Sequence, residues 1–268
     1  MQLYLGIILG VIISLIAWRA GSLSNSGAVA AAITGGLIFG LGGLPWAALL
    51  LTFFISSSAL SKLFEGRKQT LSDKFAKDDQ RDWGQVLAND GLGTVLVLAT
   101  LFTGGETWLW IAYAGAMATV NADTWATELG VLSRKLPRLI TTGEIVDAGT
   151  SGGISPLGTS ATVAGAAVVG AVGAASFPRG GVLSLILAAS LGGVCGSLFD
   201  SWLGATIQAI YHCPSCQKET ERHPTHTCGA ETSHLRGRLW LTNDVVNFLA
   251  SLVGALVSVG LWTSIQAL

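Results

Sequence analysis

Charge is what this sequence has least of. Only 12% of its 268 residues are Asp, Glu, Lys or Arg, against about 25% in an ordinary soluble domain. That shortage excludes a set of soluble domains. A net charge of -1 argues against a nucleic-acid partner. No basic stretch precedes the first apolar segment, Leu3 to Trp18, and Arg19-Ala20-Gly21 is a poor cleavage context. A cleaved signal peptide is therefore not expected, and the segment reads as a retained helix.

What is present instead is apolar. Half of the residues are hydrophobic and the mean hydropathy is +0.58. The apolar residues form long runs rather than amphipathic stripes, and a run of about 18 or more can cross a bilayer as a helix. About eight spans follow, near 2–18, 26–43, 45–63, 85–104, 107–128, 157–176, 181–207 and 241–266. Only the turn Gly42-Gly43-Leu44-Pro45 separates the second from the third, and the seventh is long enough to tilt or break. The 35 glycines suit a membrane bundle, where small residues let helix backbones approach. The expected fold is all-α: one polytopic helical bundle, 1–268, with a small zinc-ribbon-like cytoplasmic loop at 208–240 between the last two spans.

The basic residues orient the bundle. With the segment after the third span in the cytoplasm, 14 of the 15 Lys and Arg residues fall on that side, and Arg179 alone falls outside. Both termini then lie outside, and the cytoplasmic loops are 64–84, 129–156 and 208–240.

Four acids lie within spans or at their ends: Asp90, Asp123, Asp200 and Asp244. A carboxylate at mid-bilayer costs about 2.5–3.5 kcal/mol on insertion scales. By this topology all four reach a similar depth near the cytoplasmic face, from four different helices. Asn89, Asn121, Asn243 and Asn247 accompany them, and Glu128 lies about one turn beyond Asp123. One such acid alone could as well tie helices together. Four at one depth favour a shared site, and oxygen ligands there suit Mg²⁺ or Mn²⁺.

The run Gly149-Thr150-Ser151-Gly152-Gly153-Ile154-Ser155-Pro156-Leu157-Gly158-Thr159 leads into the sixth span from the same side. Glycine backbone N–H groups followed by a helix N-terminus suit an anion. The run lacks the Gly-Lys-Ser/Thr ending of a Walker loop, and on composition alone it is a linker or tight turn. Its position beside the acids makes Gly149, Thr150, Ser151, Gly152, Gly153 and Ser155 candidate phosphate ligands, with Asn243, Asp244 and Asn247 nearby. Arg134, Lys135 and Arg138 either neutralise phosphate or anchor the loop as positive-inside residues.

Cys213-Pro-Ser-Cys216 followed by Cys228-Gly resembles most of a zinc ribbon. His226 is the first choice for a fourth ligand, with His223 and His212 also close. A reducing cytoplasm argues against disulfides, and the alternative is a loop of reduced thiols. A closed site of this kind would be structural. Cys195 falls inside a span and reads as packing.

Four blocks taken together resemble a known family. They are Asn121-Ala-Asp-Thr-Trp-Ala-Thr-Glu-Leu-Gly130, the Gly149–Thr159 run, Phe199-Asp-Ser-Trp-Leu-Gly-Ala-Thr-Ile-Gln208 and Asn243-Asp-Val-Val-Asn247. In this order they resemble the domain-of-unknown-function 92 family, from about residue 20 onward. That family includes human transmembrane protein 19 and the phytyl-phosphate kinase of plants and cyanobacteria that serves vitamin E (tocopherol) synthesis. The resemblance implies a CTP-dependent kinase that converts an isoprenoid monophosphate to its diphosphate, in a bacterial plasma membrane or a thylakoid. On that reading Asp123 and Asp200 hold the metal on the nucleotide, with Glu128, Asn121 and Asp90 in the catalytic group. The glycine run cradles phosphate, and Arg134 and Arg138 stabilise the transferring group. A transporter of a lipid or small anion is the alternative, since buried carboxylates also serve transport.

Overall fold

The computed structural model describes residues 1–68, 74–75, 80–176 and 181–267. Lys77 and Arg179, both used in the charge count, lie outside the described residues. Among the described residues there are seven helices: α1 Gln2–Arg19, α2 Asn25–Lys68, α3 Trp83–Thr103, α4 Thr107–Gly130, α5 Pro156–Ser176, α6 Val182–Thr206 and α7 Asn243–Gln266. A two-stranded ladder pairs β1 (Arg138–Leu139) antiparallel with β2 (Gly153–Ile154). A three-stranded antiparallel sheet has β3 (Ile210–Cys213) between β4 (Lys218–Thr220) and β5 (Ser233–Arg236).

Six of the helices are long and apolar enough to cross a membrane: α1, α2, α3, α5, α6 and α7. The apolar part of α2, Asn25–Phe64, is 40 residues long. At about 1.5 Å per residue it would exceed the ~30 Å hydrocarbon core by twofold if straight. It is not straight. Gly43 sits at φ 74°, a left-handed conformation that glycine adopts without strain, and Pro45 follows. The helix turns back there and supplies the second and third spans expected from the sequence.

The remaining helix, α4, is less apolar because it carries Trp, Tyr, Asn and Asp residues, and its position explains why it can be. It contacts α2, α3, α5, α6 and α7 and is buried almost continuously from Leu109 to Ala122. A helix surrounded by protein does not need a lipid-compatible surface.

Close backbone contact holds the bundle together, since lipid supplies no hydrophobic drive between helices. Gly6 and Gly10 of α1 face Gly40 and Gly36 of α2. A Cβ on Gly10 would come within 2.7 Å of the Gly36 nitrogen. At the centre, Gly115, Gly192 and Gly254 bring α4, α6 and α7 around Ser258 and Thr119, and Ser258 donates to the Ala188 carbonyl at 3.0 Å.

Successive helices alternate in direction. The C-terminal ends of α2, α4 and α6 and the N-terminal ends of α3, α5 and α7 consequently share one end of the bundle. Both small sheets lie at that end.

Candidate functional site

A cavity of about 360 Å³ opens at the loop-bearing end. Its wall takes Gln85 and Asn89 from α3, Asp123 and Glu128 from α4, Gly158, Thr159 and Thr162 from α5, Ser197 and Asp200 from α6, and Asn243 and Asn247 from α7. Gly149, Thr150, Ser151, Gly152, Gly153 and Ser155 close one side, and Arg81, Lys135, Gln208 and Glu221 add charge and amide groups. Most of the residues singled out in the sequence therefore meet in one place, although they come from five helices and three loops.

The acids are unevenly satisfied. Asp123 Oδ1 accepts from Ser197 Oγ at 3.5 Å, a long contact. Asp200 Oδ2 is buried and accepts no hydrogen bond. Asp200 feels the charges of Asp123 and Glu221, and Asp123 that of Glu221. A buried carboxylate oxygen without a donor is costly unless a cation faces it. The Asp123–Asp200 pair therefore fits a hard divalent cation through its oxygen-only donors. Glu128 Oε1 accepts from Ser61 at 2.7 Å.

Two helix N-termini face the same space. Ser155 caps α5 by accepting from the Gly158 N–H at 3.1 Å, and Pro156 occupies the first helical position, where its missing N–H costs nothing. The hydroxyl of Ser155 thus serves the helix end rather than lying open for a ligand. The first turn of α7 has no side-chain cap from Thr242. N–H groups of both turns attract anions.

The glycine run has a packing role of its own. Gly149 and Gly152 adopt φ +79° and +81°. A side chain on Gly152 would enter the backbone of Ala205, and one on Gly204 would come within 2.9 Å of the Gly152 nitrogen. The loop thus lies backbone to backbone on the last turn of α6, the helix carrying Asp200. Pairing of Gly153 with Leu139 and of Ile154 with Arg138 fixes its other edge.

Several expected residues stand apart. Asn121 is fully buried, accepts from Ser56 Oγ at 2.9 Å and donates to the Gly165 carbonyl at 2.8 Å, joining α4 to α2 and α5. Asp90 is 8% exposed, does not line the cavity, and has Arg81 as its counter-charge. Asp244 lies in the first turn of α7, where an acid complements the helix dipole, outside the wall. Arg134 and Arg138 are exposed and absent from the wall, and Arg138 instead donates to the Gly143 carbonyl at 2.7 Å.

The cations at the wall are Lys135 and Arg81. Arg81 donates to Ser57 at 2.9 Å and Ser58 at 3.3 Å, and its guanidinium lies 5.3 Å from the centre of the Phe53 ring. Glu221 and Arg81 sit in no motif and were not recognisable as site residues from the sequence, since each arrives through loop packing. Gln208 closes the Phe199–Gln208 block, but nothing in that block singled it out as lining a site.

Beside the cavity, Cys213, Cys216, His226 and Cys228 place one donor atom each within 4.8 Å of one another. Cys213 and Cys228 sulfurs are 3.6 Å apart, and His226 Nδ1 is 3.2 Å from Cys228 and 3.6 Å from Cys216. Ligands at ~2.3 Å (sulfur) and ~2.0 Å (nitrogen) from a tetrahedral zinc ion lie about 3.5–3.8 Å apart. The set fits that ion, with His226 rather than His212 or His223 as the fourth donor. A backbone hydrogen bond from Ala230, helped by His226, lowers the Cys228 thiol to about 6. Sharing a hydrogen bond with Cys228 pushes Cys216 up to about 11.

The chain matches the model of an integral membrane protein family, DUF92, over residues 8–255. It belongs to that family. Among DUF92 relatives it is 35% identical to Protein PGR of Arabidopsis thaliana, over 94% of this chain and 93% of that one. It is 32% identical to an uncharacterized membrane protein of Methanocaldococcus jannaschii, over 77% and 84%. It is 25% identical to Protein VTE6, chloroplastic, of Arabidopsis thaliana, over 88% of this chain and 64% of that one. No solved structure matches this DUF92 chain.

Proposed function

We propose that the protein is a phosphotransferase that uses CTP to convert an isoprenoid monophosphate of phytyl type to its diphosphate at the cytoplasmic membrane face. The observation that carries this reading is one cavity at the end of a membrane bundle lined by Asp123, Asp200, the glycine run and the first turns of α5 and α7. The distant likeness to VTE6, in a family that includes phytyl-phosphate kinase, supports the reaction class. The distribution of Lys and Arg supports the cytoplasmic face, of either a bacterial plasma membrane or a thylakoid.

Phosphoryl transfer asks a protein mainly for in-line positioning and charge stabilisation. Asp123 and Asp200 would hold Mg²⁺ or Mn²⁺, which when bound neutralises nucleotide phosphate charge. Backbone N–H groups of Gly149, Ser151 and Gly152, with the positive ends of the α5 and α7 dipoles, orient the phosphates. Lys135 and Arg81, rather than Arg134 and Arg138, stand where they can meet the transferring group. The acceptor is already an ionised phosphate, so no side chain has to remove a proton from it. Its prenyl tail stays in lipid among the apolar helices, which is why such an enzyme is embedded. The Cys213, Cys216, Cys228 and His226 cluster holds a structural zinc in this reading and does no chemistry.

Radiolabelled CTP or ATP, purified protein and a panel of prenyl monophosphates test the proposal. Label should appear in a prenyl diphosphate, with CTP preferred. Absence of transfer from either nucleotide, together with nucleotide-free flux of a lipid or anion into liposomes, would replace it with the transporter reading.

A further inference from the structure

The three-stranded sheet that carries the Cys/His cluster does not simply sit beside the cavity. It grows directly out of α6. The base of the sheet is fastened to that helix end by the Arg238 N–H on the Ile207 carbonyl at 2.9 Å and by Arg236 Nη1 on the Gly204 carbonyl at 3.1 Å. Within it β3 and β4 pair so that Cys213 faces Lys218 and Tyr211 faces Thr220. The residue after Thr220 is Glu221, and this register delivers its carboxylate into the cavity wall.

Two donors from opposite sides converge on one oxygen of that carboxylate. Ser151 Oγ, in the glycine run, donates to Glu221 Oε1. Gln208 Nε2, just beyond α6, donates to the same oxygen at 2.9 Å. The Glu221 backbone N–H binds the Lys74 carbonyl at 3.0 Å, and Lys74 pairs with Asp147 at 3.6 Å, two residues before Gly149. One acidic side chain and its backbone thus join the glycine run, the α6 terminus and Lys74.

We infer that Glu221 is a positioning residue. Through Ser151 and Gln208 it locks the phosphate-binding run against the helix that carries Asp200, and so the Cys/His hairpin sets the shape of the cavity. Hydrogen bonds to a charged group are among the stronger ones in a protein, and Gly152 already lies against Ala205, where small displacements are not absorbed. Loss of the lock frees the run at its Ser151 side while leaving its pairing with Leu139 in place.

The consequence for catalysis rests on the phosphotransferase reading, but the lock can be measured without it. Hydrogen exchange in purified, ligand-free protein reports on the amides of Thr150, which bonds to the Asp147 carbonyl, of Gly153, which bonds to the Thr150 carbonyl, and of Ile140, which bonds to the Gly152 carbonyl. Glu221→Ala should speed exchange across 149–155 by about tenfold or more, the scale set by a lost hydrogen bond to a charged group. Glu221→Gln, whose amide oxygen still accepts, should exchange nearly as wild type. Ser151→Ala, which leaves the hairpin untouched, should reproduce the Glu221→Ala effect and serves if that variant folds poorly. In the CTP assay Glu221→Ala should raise the nucleotide KM more than it lowers kcat, with rescue by Glu221→Gln. Unchanged exchange at 149–155 in both Glu221→Ala and Ser151→Ala overturns the inference, as does a Glu221→Gln variant as loose as Glu221→Ala. Loosening without any nucleotide transfer by the wild type sustains the lock and removes the kinase reading.

Discussion

The two ends of the bundle each enclose a hollow of similar size, about 360 Å³ at the loop end and about 310 Å³ at the other. Their linings differ in kind. The far hollow is bounded by Leu41, Trp46, Thr100, Trp110 and glycines, with Glu106 its single carboxylate. Next to it Trp46 stacks on Tyr113 with ring centres 4.4 Å apart, and the Tyr113 hydroxyl is spent on the Trp46 carbonyl at 2.9 Å. The near hollow gathers Asp123, Glu128, Asp200 and Glu221 beneath two helix N-termini. Volume alone does not make a site. Convergent polar groups do, above all where one such as Asp200 Oδ2 is buried without a hydrogen bond, because that burial is costly without a ligand.

Substitutions at the two ends should therefore separate chemistry from stability. The largest loss of activity is expected at the near end. Asp123→Asn and Asp200→Asn should each lower kcat/KM by roughly 10²–10³-fold or more, the scale of deleting a preorganised charge, with little change in thermal melting in detergent. Glu106→Gln should be as active as wild type. Equal losses from Glu106→Gln would erase the distinction between the hollows.

The far end should answer in stability instead. Trp46→Ala removes a large ring from a packed aromatic group and should cost about 3–5 kcal/mol, read as a lowered melting temperature, while kcat/KM per folded molecule stays put. Tyr113→Phe removes the hydroxyl's bond to the Trp46 carbonyl and should cost about 0.5–1.5 kcal/mol. A kinetic defect in either variant at full folding would tie the far end to the chemistry.

The Cys/His hairpin lies between these extremes. Elemental analysis of purified protein should find one zinc per chain, and Cys216→Ser should lose it. Chelation should expose the hairpin to protease before it affects the helices. A subtler contrast concerns thiol reactivity in metal-free protein. With Cys228 lowered to about 6 and Cys216 raised to about 11, the first is a thiolate at pH 7 and the second is not. Mass spectrometry after brief alkylation at pH 7 should find Cys228 labelled first, and added zinc should protect both. Equal labelling would show that the hydrogen bonds around Cys228 do not set its charge.

Much of the fold was legible because helices are local objects. Runs of apolar residues located the spans, and Gly42-Gly43-Leu44-Pro45 located the turn-back in α2. The acids could be placed by counting turns from a common face, and Asp123 and Asp200 meet as that count implied. Counting depth could not tell which way a side chain faces. Asn121 and Asp90 lie at suitable depths but turn away from the cavity, one toward Ser56 and Gly165 and the other toward Arg81. Loops were the harder case. Arg134 and Arg138 are neighbours of the glycine run in sequence and are absent from the cavity wall, whereas Lys135 between them lines it. Glu221 lies 70 residues from Ser151 and meets it only because β3 and β4 fold back over α6.

The wall of the near cavity is contributed in strict sequence, from α2 and α3 through to Asn243 and Asn247 of α7. During synthesis the earlier helices enter the membrane while their carboxylates still lack the amides opposite. Until α7 docks against α4 and α6, Asp123 and Asp200 face an open cleft. The last helix to be made is thus the one that completes the cavity wall, so a chain halted before it would carry the acids without the site.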